Sequence, residues 1–293
     1  MPAPPPEMPA LTPATMTATD HTAASRLLAV ALRLLAIVNI AYLAWHCVED
    51  IVEGTQTAPP LILAMGLTLF SGVPWLLALI MDRLRRATIA IEPAQLILTL
   101  RSARIEIPLD ALAEIHPWAL PVPGPGLDLR MRSGRRFRLA LADPRALLEA
   151  LALALPAARE QTPRPAVTFA TARAARKPRR ALFWGIKFGL FPLALTLITF
   201  RLDQVISYGG ALGQYYQQGL GPYLTSLARY AASSTSGLVI YAAMVRVVVE
   251  ALALALTGAL PAQAQLFRRA AEVICFIAYF VVIPGYLIVL LLL

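Results

Sequence analysis

The sequence predicts a mainly α-helical polytopic membrane protein, with about five transmembrane helices and a small β-rich domain closed by one helix. The chain has 293 residues, of which 58% are hydrophobic and only 15% are charged. A typical soluble domain has about 45–50% apolar and about 25% charged residues, so this composition favours a membrane class. Residues 82–180 carry 18 basic and 9 acidic side chains between strongly apolar flanks, which indicates one polar insert.

A hairpin of two transmembrane helices is predicted over residues 26–81. Residues 1–25 precede it and are rich in Pro, Ala and Thr, which predicts a disordered N-terminal tail. The apolar run 27–48 would reach about 33 Å as a helix, enough to cross a hydrocarbon core of about 30 Å. The second run, 61–81, stops abruptly at a charged sequence that begins with Asp82.

A second membrane domain with three helices is predicted over residues 181–293. Its apolar runs are 181–200, 236–256 and 270–293. Each is about 20 residues or longer, as a spanning helix requires.

The segment 201–234 lies between two of these runs and is rich in tyrosine. Steps of seven or eight residues would place four of its tyrosines on one helical face: Tyr208, Tyr215, Tyr223 and Tyr230. Repeated glycines interrupt any continuous helix, so we expect one or two short amphipathic helices with their rings at headgroup level. An aromatic binding surface for a lipid or a protein partner is the alternative.

Arg246 and Glu250 form an intramembrane charge pair on one face of the predicted helix 236–256. A charge at mid-bilayer costs about 2.5–3.5 kcal/mol on insertion scales, so such residues usually face protein or a water-filled cavity. Two hypotheses compete: the pair marks a proton or substrate path, or it is a self-neutralising pair that fixes the register of the helix.

Basic residues near the ends of the predicted spans set the expected orientation. The link 46–59 has no Lys or Arg, the flanks of residues 82–180 have many, and the link 257–269 has two. From the positive-inside rule we therefore expect the N-terminus and residues 82–180 in the cytoplasm and the C-terminus on the opposite side, periplasmic or outside.

The polar insert has the pattern of a folded sheet rather than of a linker. Runs at 87–92, 96–101 and 103–108 alternate apolar and polar residues with the period of a strand. Two further runs meet at Ser133-Gly134, a strong hairpin signal. In that hairpin one face is apolar and the other is basic, so we expect one face to pack in a core.

A closing helix is predicted after the strands. Asp143 has the character of an N-cap, and Pro144 that of the first helical residue. We expect the folded domain to cover residues 82–156 and a basic linker to follow over residues 157–180.

Residues 89–118 read IAIEPAQLILTLRSARIEIPLDALAEIHPW. Together with the hairpin and the closing helix, this segment resembles the bacterial pleckstrin-homology-like domain of inner-membrane proteins. The resemblance implies a strongly bent antiparallel sheet closed by a helix, which acts as a binding or assembly module at the bacterial inner membrane.

The basic strand face is a candidate surface for anionic lipid headgroups or a protein partner. Its residues, with Trp118 from the Pro-rich loop 117–126, are Arg130, Arg132, Arg135, Arg136 and Arg138. The alternative is a solvated face on a domain that must remain in the cytoplasm.

No residue pattern in the sequence indicates catalysis, a cofactor or a metal site. The sequence lacks the G-x-S-x-G, P-loop, H-E-x-x-H and C-x-x-C motifs. His46 and Cys47 lie beside Glu49 and Asp50, but adjacent side chains do not point easily at one ion. We expect no enzyme activity, no cofactor, no metal and no nucleic-acid partner.

The leading hypothesis is a non-enzymatic membrane protein whose cytoplasmic module assembles or regulates a membrane complex. Its expected partners are the lipid bilayer and a protein in the membrane, and no small-molecule ligand is identifiable from the residues. The alternative is a transporter or channel subunit that uses Arg246 and Glu250.

Overall fold

The computed structural model describes residues 15–53, 59–92, 94–119, 124–152, 156–161, 164–175 and 181–292. The chain divides into two compact units. One, the sheet unit, comprises Met1–Val30, Ala78–Ala175 and Leu254–Leu266. The other, the helical unit, comprises Ala31–Leu77, Arg176–Ala253 and Phe267–Leu293.

The sheet unit contains a seven-stranded antiparallel sheet with the order β4-β3-β2-β1-β7-β6-β5. The strands are β1 (Met16–Asp20), β2 (Arg86–Ile91), β3 (Gln95–Leu100), β4 (Arg104–Pro108), β5 (Leu112–Pro117), β6 (Gly126–Met131) and β7 (Arg136–Leu141). Alternate residues of these strands point into one core, as their period of two requires. The fully buried leucine and isoleucine side chains of this core are Ile89, Leu96, Leu98, Ile107, Leu127, Leu129, Leu139, Leu147, Leu148 and Leu151.

Helices account for most of the remaining described residues. They are α1 (Ala23–Glu53), α2 (Pro60–Leu84), α3 (Pro144–Leu151), α4 (Pro156–Gln161), α5 (Pro165–Ala174), α6 (Ala181–Tyr208), α7 (Gly213–Gln218), α8 (Leu220–Ala259) and α9 (Ala264–Leu292). As predicted, Asp143 caps α3: its carboxylate accepts a hydrogen bond from the Arg145 backbone N–H at 3.1 Å.

Strand β1 corrects the prediction of a disordered tail over residues 1–25. Residues 16–20 pair with β2 on one side and with β7 on the other, so neighbouring strands take up their backbone hydrogen bonds. Ala18 points into the core and is 4% exposed. The pairing partners lie about 70 and 120 residues further along the chain, so local composition did not reveal the strand; residues 1–14 lie outside the described residues.

The predicted basic linker over residues 157–180 is also corrected in part. Helices α4 and α5 occupy Pro156–Gln161 and Pro165–Ala174. Val167 and Phe169 are buried, and the Thr171 hydroxyl donates to the Asp143 carboxylate at 3.0 Å. These apolar residues pack α5 into the sheet unit, whereas residues 176–180 lie outside the described residues.

Four described helices are long and apolar enough to cross a membrane, which indicates a membrane location. They are α1 over Ala23–Asp50, α2, α6 and α8. Of the fifth predicted span, residues 270–292 lie within α9 and residue 293 is outside the described residues. That this segment crosses the membrane stays a prediction.

A Phe-x-x-x-Pro sequence recurs in α2, α6 and α9, at residues 70–74, 188–192 and 280–284. Each proline follows a π-helical turn; these turns are Thr68–Gly72, Ile186–Leu190 and Ala278–Val282. Proline lacks an N–H, and its ring clashes with the carbonyl four residues earlier. The helix widens instead: Val73 N–H donates to Thr68 O, five residues back, and Phe191 N–H to Ile186 O.

Each widened turn receives a polar side chain from another helix of the helical unit. The donor–acceptor pairs are Asn39 Nδ2 to Ser71 Oγ at 2.8 Å, Tyr279 OH to Lys187 O at 2.7 Å and Tyr241 OH to Ala278 O at 3.2 Å. Because lipid offers no hydrogen-bonding partner, polar groups of membrane helices are satisfied by one another. These contacts therefore fix which helices pack together.

The tyrosine-rich segment 201–234 is divided among three helices, which corrects the prediction of short surface helices throughout. Residues 201–208 end α6 and residues 220–234 begin α8, so only α7 is a short separate helix. Gly209 ends α6 with φ +72°, a conformation that favours glycine. Gly213 opens α7, where a Cβ would lie 2.3 Å from Tyr208 O.

Gly126 at the start of β6 lies where no side chain fits, and this predicts a strong effect of Gly126→Ala. A Cβ there would lie 2.5 Å from Leu139 O and 2.8 Å from the Trp118 ring. Because backbone and ring must both move, we expect the free energy of unfolding to fall by about 2 kcal/mol. Thermal unfolding of the purified chain measures this, with Gly124→Ala as control, since a Cβ at Gly124 meets nothing within 4 Å. Equal midpoints for the two variants would contradict the steric argument.

Candidate functional site: a ring of four charges between two helices

Four charged side chains of α8 and α9 form a closed ring in the helical unit. Arg246 contacts Glu250 at 2.6 Å and Glu272 at 2.9 Å. Arg268 contacts Glu250 at 2.5 Å and Glu272 at 2.8 Å. Each guanidinium thus binds both carboxylates, and the ring has no formal net charge.

The ring follows from the same spacing on two consecutive helices. Arg precedes Glu by four residues in 246–250 and again in 268–272, which places each pair on one helix face. The chain reverses direction between α8 and α9 at Pro261–Gln263. In the antiparallel pair, Arg of one helix therefore faces Glu of the other.

The sequence prediction found half of this ring. It treated Arg246 and Glu250 as a local pair and counted Arg268 only as one of the two basic residues of the link 257–269 that set orientation. The repeated Arg-x-x-x-Glu spacing was the available signal, because two such pairs on adjacent antiparallel helices can neutralise each other.

Burial differs around the ring. The side chains of Arg268 and Glu272 are 6% and 9% exposed, whereas those of Glu250 and Arg246 are 22% and 37% exposed. Within the described residues the Arg268 Nε has no hydrogen-bond partner. Removal of one partner from a buried ion pair leaves an uncompensated charge, so the ring holds α8 and α9 in register.

The predicted basic face of the sheet unit is divided by two carboxylates. Arg130 lies 3.3 Å from Glu114, and Arg138 lies 3.8 Å from Asp128. The basic residues not neutralised in this way, Arg132, Arg135 and Arg136, lie at the tip of the β6–β7 hairpin and are exposed. We call these three residues the hairpin tip.

Trp118 is buried, so the prediction that it belongs to an exposed lipid or partner surface is wrong. It is 5% exposed, and its Nε1 donates to Asp128 Oδ1 at 2.6 Å. The Arg26 guanidinium carbon lies 3.8 Å from the centroid of the indole ring. The ring fills the space beside Gly126, which has no side chain to occupy it.

The four predicted interfacial tyrosines do not share one helical face. Tyr208 ends α6, Tyr215 lies on α7, and Tyr223 and Tyr230 lie on α8. The rings of Tyr223 and Tyr230 pack against Phe200, with centroids 5.1 and 5.6 Å away. These two tyrosines thus join α6 to α8.

A buried cluster of amide side chains lies at the chain reversal between α6 and α8. Gln204 is fully buried, and its Nε2 donates to Gln214 Oε1 at 3.0 Å. Gln214 Nε2 donates in turn to Ser226 Oγ at 3.0 Å. One side chain from each of α6, α7 and α8 therefore takes part, which fixes the reversal between the two long helices.

His46 contacts Glu49 at 3.1 Å on the same helix. In the part of the chain that the structure describes, no group of three or more His, Cys, Asp or Glu side chains is placed to hold a metal ion.

No protein-family model, curated protein or solved structure matches this chain.

Arg268→Gln should destabilise the helical unit far more than Arg269→Gln. Arg268 is buried between two carboxylates, whereas its neighbour Arg269 is exposed. We expect the first change to lower the free energy of unfolding by about 3 kcal/mol and the second by less than about 0.5 kcal/mol. Thermal unfolding of the detergent-solubilised chain measures both, and similar losses for the two variants would show that the ring is not structural.

The double variant Arg268→Gln/Glu272→Gln tests whether the four charges act as a unit. It removes one positive and one negative charge, so the remaining Arg246 and Glu250 still neutralise each other. We expect it to be more stable than Arg268→Gln alone. The free energy of unfolding measures this. If the double variant loses as much of it as Arg268→Gln and Glu272→Gln lose together, the four charges are not coupled.

Glu114 should confer a pH-dependent stability on the sheet unit. The hydrogen bond with His116, and then the charge of Arg130, hold the pKa of Glu114 below its usual value. Because the folded pKa is the lower one, the stabilisation is present above the unfolded pKa of about 4.3 and is lost as the pH falls through the folded pKa. Unfolding midpoints of the parent and Glu114→Gln, measured from neutral to acidic pH, should converge at the acidic end. A constant difference at every pH would refute the assignment.

Proposed function

We propose that the protein is a non-enzymatic integral membrane protein whose sheet unit assembles or regulates a membrane complex by binding a partner protein. The observation that supports this proposal is the shortness of two connections. Two residues join β1 to α1, since β1 ends at Asp20 and α1 begins at Ala23. One residue joins α2 to β2, since α2 ends at Leu84 and β2 begins at Arg86.

Such connections are too short to act as flexible linkers. The Asp20 N–H also donates to Arg85 O at 3.0 Å, which joins the two connections directly. A partner that shifts the sheet therefore acts on the ends of α1 and α2. This coupling is what a regulatory or assembly module requires.

The pairing of β1 with β2 also supports the proposed orientation. Adjacent strands of one sheet precede α1 and follow α2, so the two helices leave from and return to the same side of the membrane. The excess of basic residues in 82–180 supports the proposal that this side is the cytoplasm. We propose a PH-like module at the bacterial inner membrane, with five spans and a periplasmic C-terminus.

The hairpin tip is the proposed partner contact. Arg132, Arg135 and Arg136 are exposed, and among the described residues no carboxylate forms an ion pair with them. Guanidinium groups suit bidentate contacts with carboxylates. We therefore propose a partner that presents acidic side chains.

The ring of α8 and α9 favours the structural hypothesis for Arg246 and Glu250. Each carboxylate is held by two guanidiniums, so its rotation is restricted. A transporter or channel subunit that uses this pair is the alternative function. If the variant Arg246→Ala shows normal ion or substrate flux and only a lower stability, that alternative is excluded.

Purification of the tagged full chain from its own membranes in mild detergent tests the assembly proposal. We expect one protein to co-purify in stoichiometric amount. The variant Arg132→Glu/Arg136→Glu should reduce its recovery about tenfold or more, because like charges then face each other.

The matched control is Arg164→Glu/Arg173→Glu, which reverses two exposed charges on or beside α5. Recovery should be unchanged in this control. Absence of any stoichiometric partner from the parent preparation would refute the assembly proposal, and equal recovery with both variants would refute the hairpin tip as its contact.

A further inference from the structure

An open groove of about 650 Å³ lies on the sheet unit across β1, β2, β3 and β7. Four threonines and two arginines supply its polar lining: Thr17, Thr19, Thr88, Thr99, Arg86 and Arg101. None of the described residues that line it has a carboxylate side chain. The groove is separate from the hairpin tip and from the ring of charges.

Strand register brings the threonines together in a row. Thr17 pairs with Thr88, and Thr88 pairs with Thr99, so three hydroxyl side chains lie side by side on adjacent strands. Thr19 pairs with Arg86 in the next outward-facing row. Among the described residues, none of these hydroxyls makes a side-chain hydrogen bond, so each can donate to a ligand.

The two arginines lie next to each other at one end of the groove. Ala87 pairs with Leu100; Arg86 immediately precedes Ala87 and Arg101 immediately follows Leu100. Arg101 lies in the β3–β4 turn, directly beyond the last strand pair, and like charges at the end of a strand pair repel each other. In the described part of the chain neither arginine forms an ion pair with a carboxylate, so an anion between them would relieve the repulsion.

The arginine end of the groove adjoins the ends of two candidate membrane spans. Arg86 is two residues from the end of α2 at Leu84, and Thr19 is four residues from the start of α1 at Ala23. Basic residues in this position lie at the level of the lipid phosphates. Guanidinium and hydroxyl donors together match the oxygens of a phosphate group.

We propose that this groove binds a phosphate group, held by Arg86 and Arg101 and oriented by the hydroxyls of Thr88 and Thr99. The group is either the phosphate of a lipid headgroup or free phosphate, since both present the same oxygens. This inference is independent of the assembly proposal, which rests on other residues.

Two binding measurements on the full chain distinguish the sources. In one, the detergent-solubilised protein is titrated with inorganic phosphate by calorimetry. In the other, the protein is placed in phosphatidylcholine nanodiscs with or without phosphatidic acid, and bound phosphatidic acid is counted by native mass spectrometry. Saturable binding in the first alone identifies free phosphate, and binding in the second alone identifies a headgroup; either supports the site.

Arg86→Gln/Arg101→Gln should weaken binding about tenfold or more, whereas Arg164→Gln/Arg173→Gln, with the same loss of charge elsewhere, should not. The variant Thr88→Val/Thr99→Val keeps the shape and the strand preference but removes two donors, and it should weaken binding as well. Absence of saturable binding in both measurements overturns the proposal. Equal weakening by the control variant overturns it too, since binding would then reflect total charge.

The stability of the ligand-free protein provides a second readout. If Arg86 and Arg101 only repel each other in the empty groove, Arg101→Gln should raise the unfolding midpoint in phosphate-free buffer while it lowers phosphate affinity. A lower midpoint would show that Arg101 has a structural role instead and would overturn the proposal.

Discussion

The pairing of β1 between β2 and β7 is the contact on which the rest of the sheet unit depends. Without it, β2 and β7 would each expose an unpaired edge over the buried core, and the seven strands would form two separate groups. The same pairing holds the start of α1 beside the end of α2, because only a few residues separate these helices from the strands. The helical hairpin is therefore an insertion in the β1–β2 connection rather than an attachment to a finished domain.

Polar contacts determine the packing of the helical unit for a different reason. Apolar side chains gain little from each other when lipid can replace them, so hydrogen bonds and close contacts select the helix pairs. Asn39, Tyr241 and Tyr279 supply such bonds, each to a residue of a π-helical turn in α2, α9 or α6. The ring of α8 and α9 selects a helix pair in the same way, but with charges. Each of its side chains would be costly to bury alone, whereas together the four charges neutralise one another.

Sequence patterns among neighbouring residues predicted the strands and helix starts that depend only on those residues. Alternation predicted the strands on either side of Ser133-Gly134, and Asp143-Pro144 predicted the start of α3. Strand β1 was missed because its partners lie far along the chain and its own five residues, MTATD, show little apolar pattern. Arg268 and Glu272 were missed for a related reason: their spacing was visible, but the register between α8 and α9 comes from tertiary packing. Burial of Trp118 likewise depends on the absence of a side chain at Gly126, which lies beside it on the neighbouring strand.

The position of β1 also sets an order of events during synthesis. This strand leaves the ribosome first, yet its second neighbour, β7, ends at Leu141 and follows about 120 residues later. At translation rates of about 5–20 residues per second, that interval is on the order of ten seconds. The hairpin of α1 and α2 is synthesised within it, before either neighbour of β1. The sheet therefore closes only after both helices have been made, and β1 stays an unpaired extended strand until then.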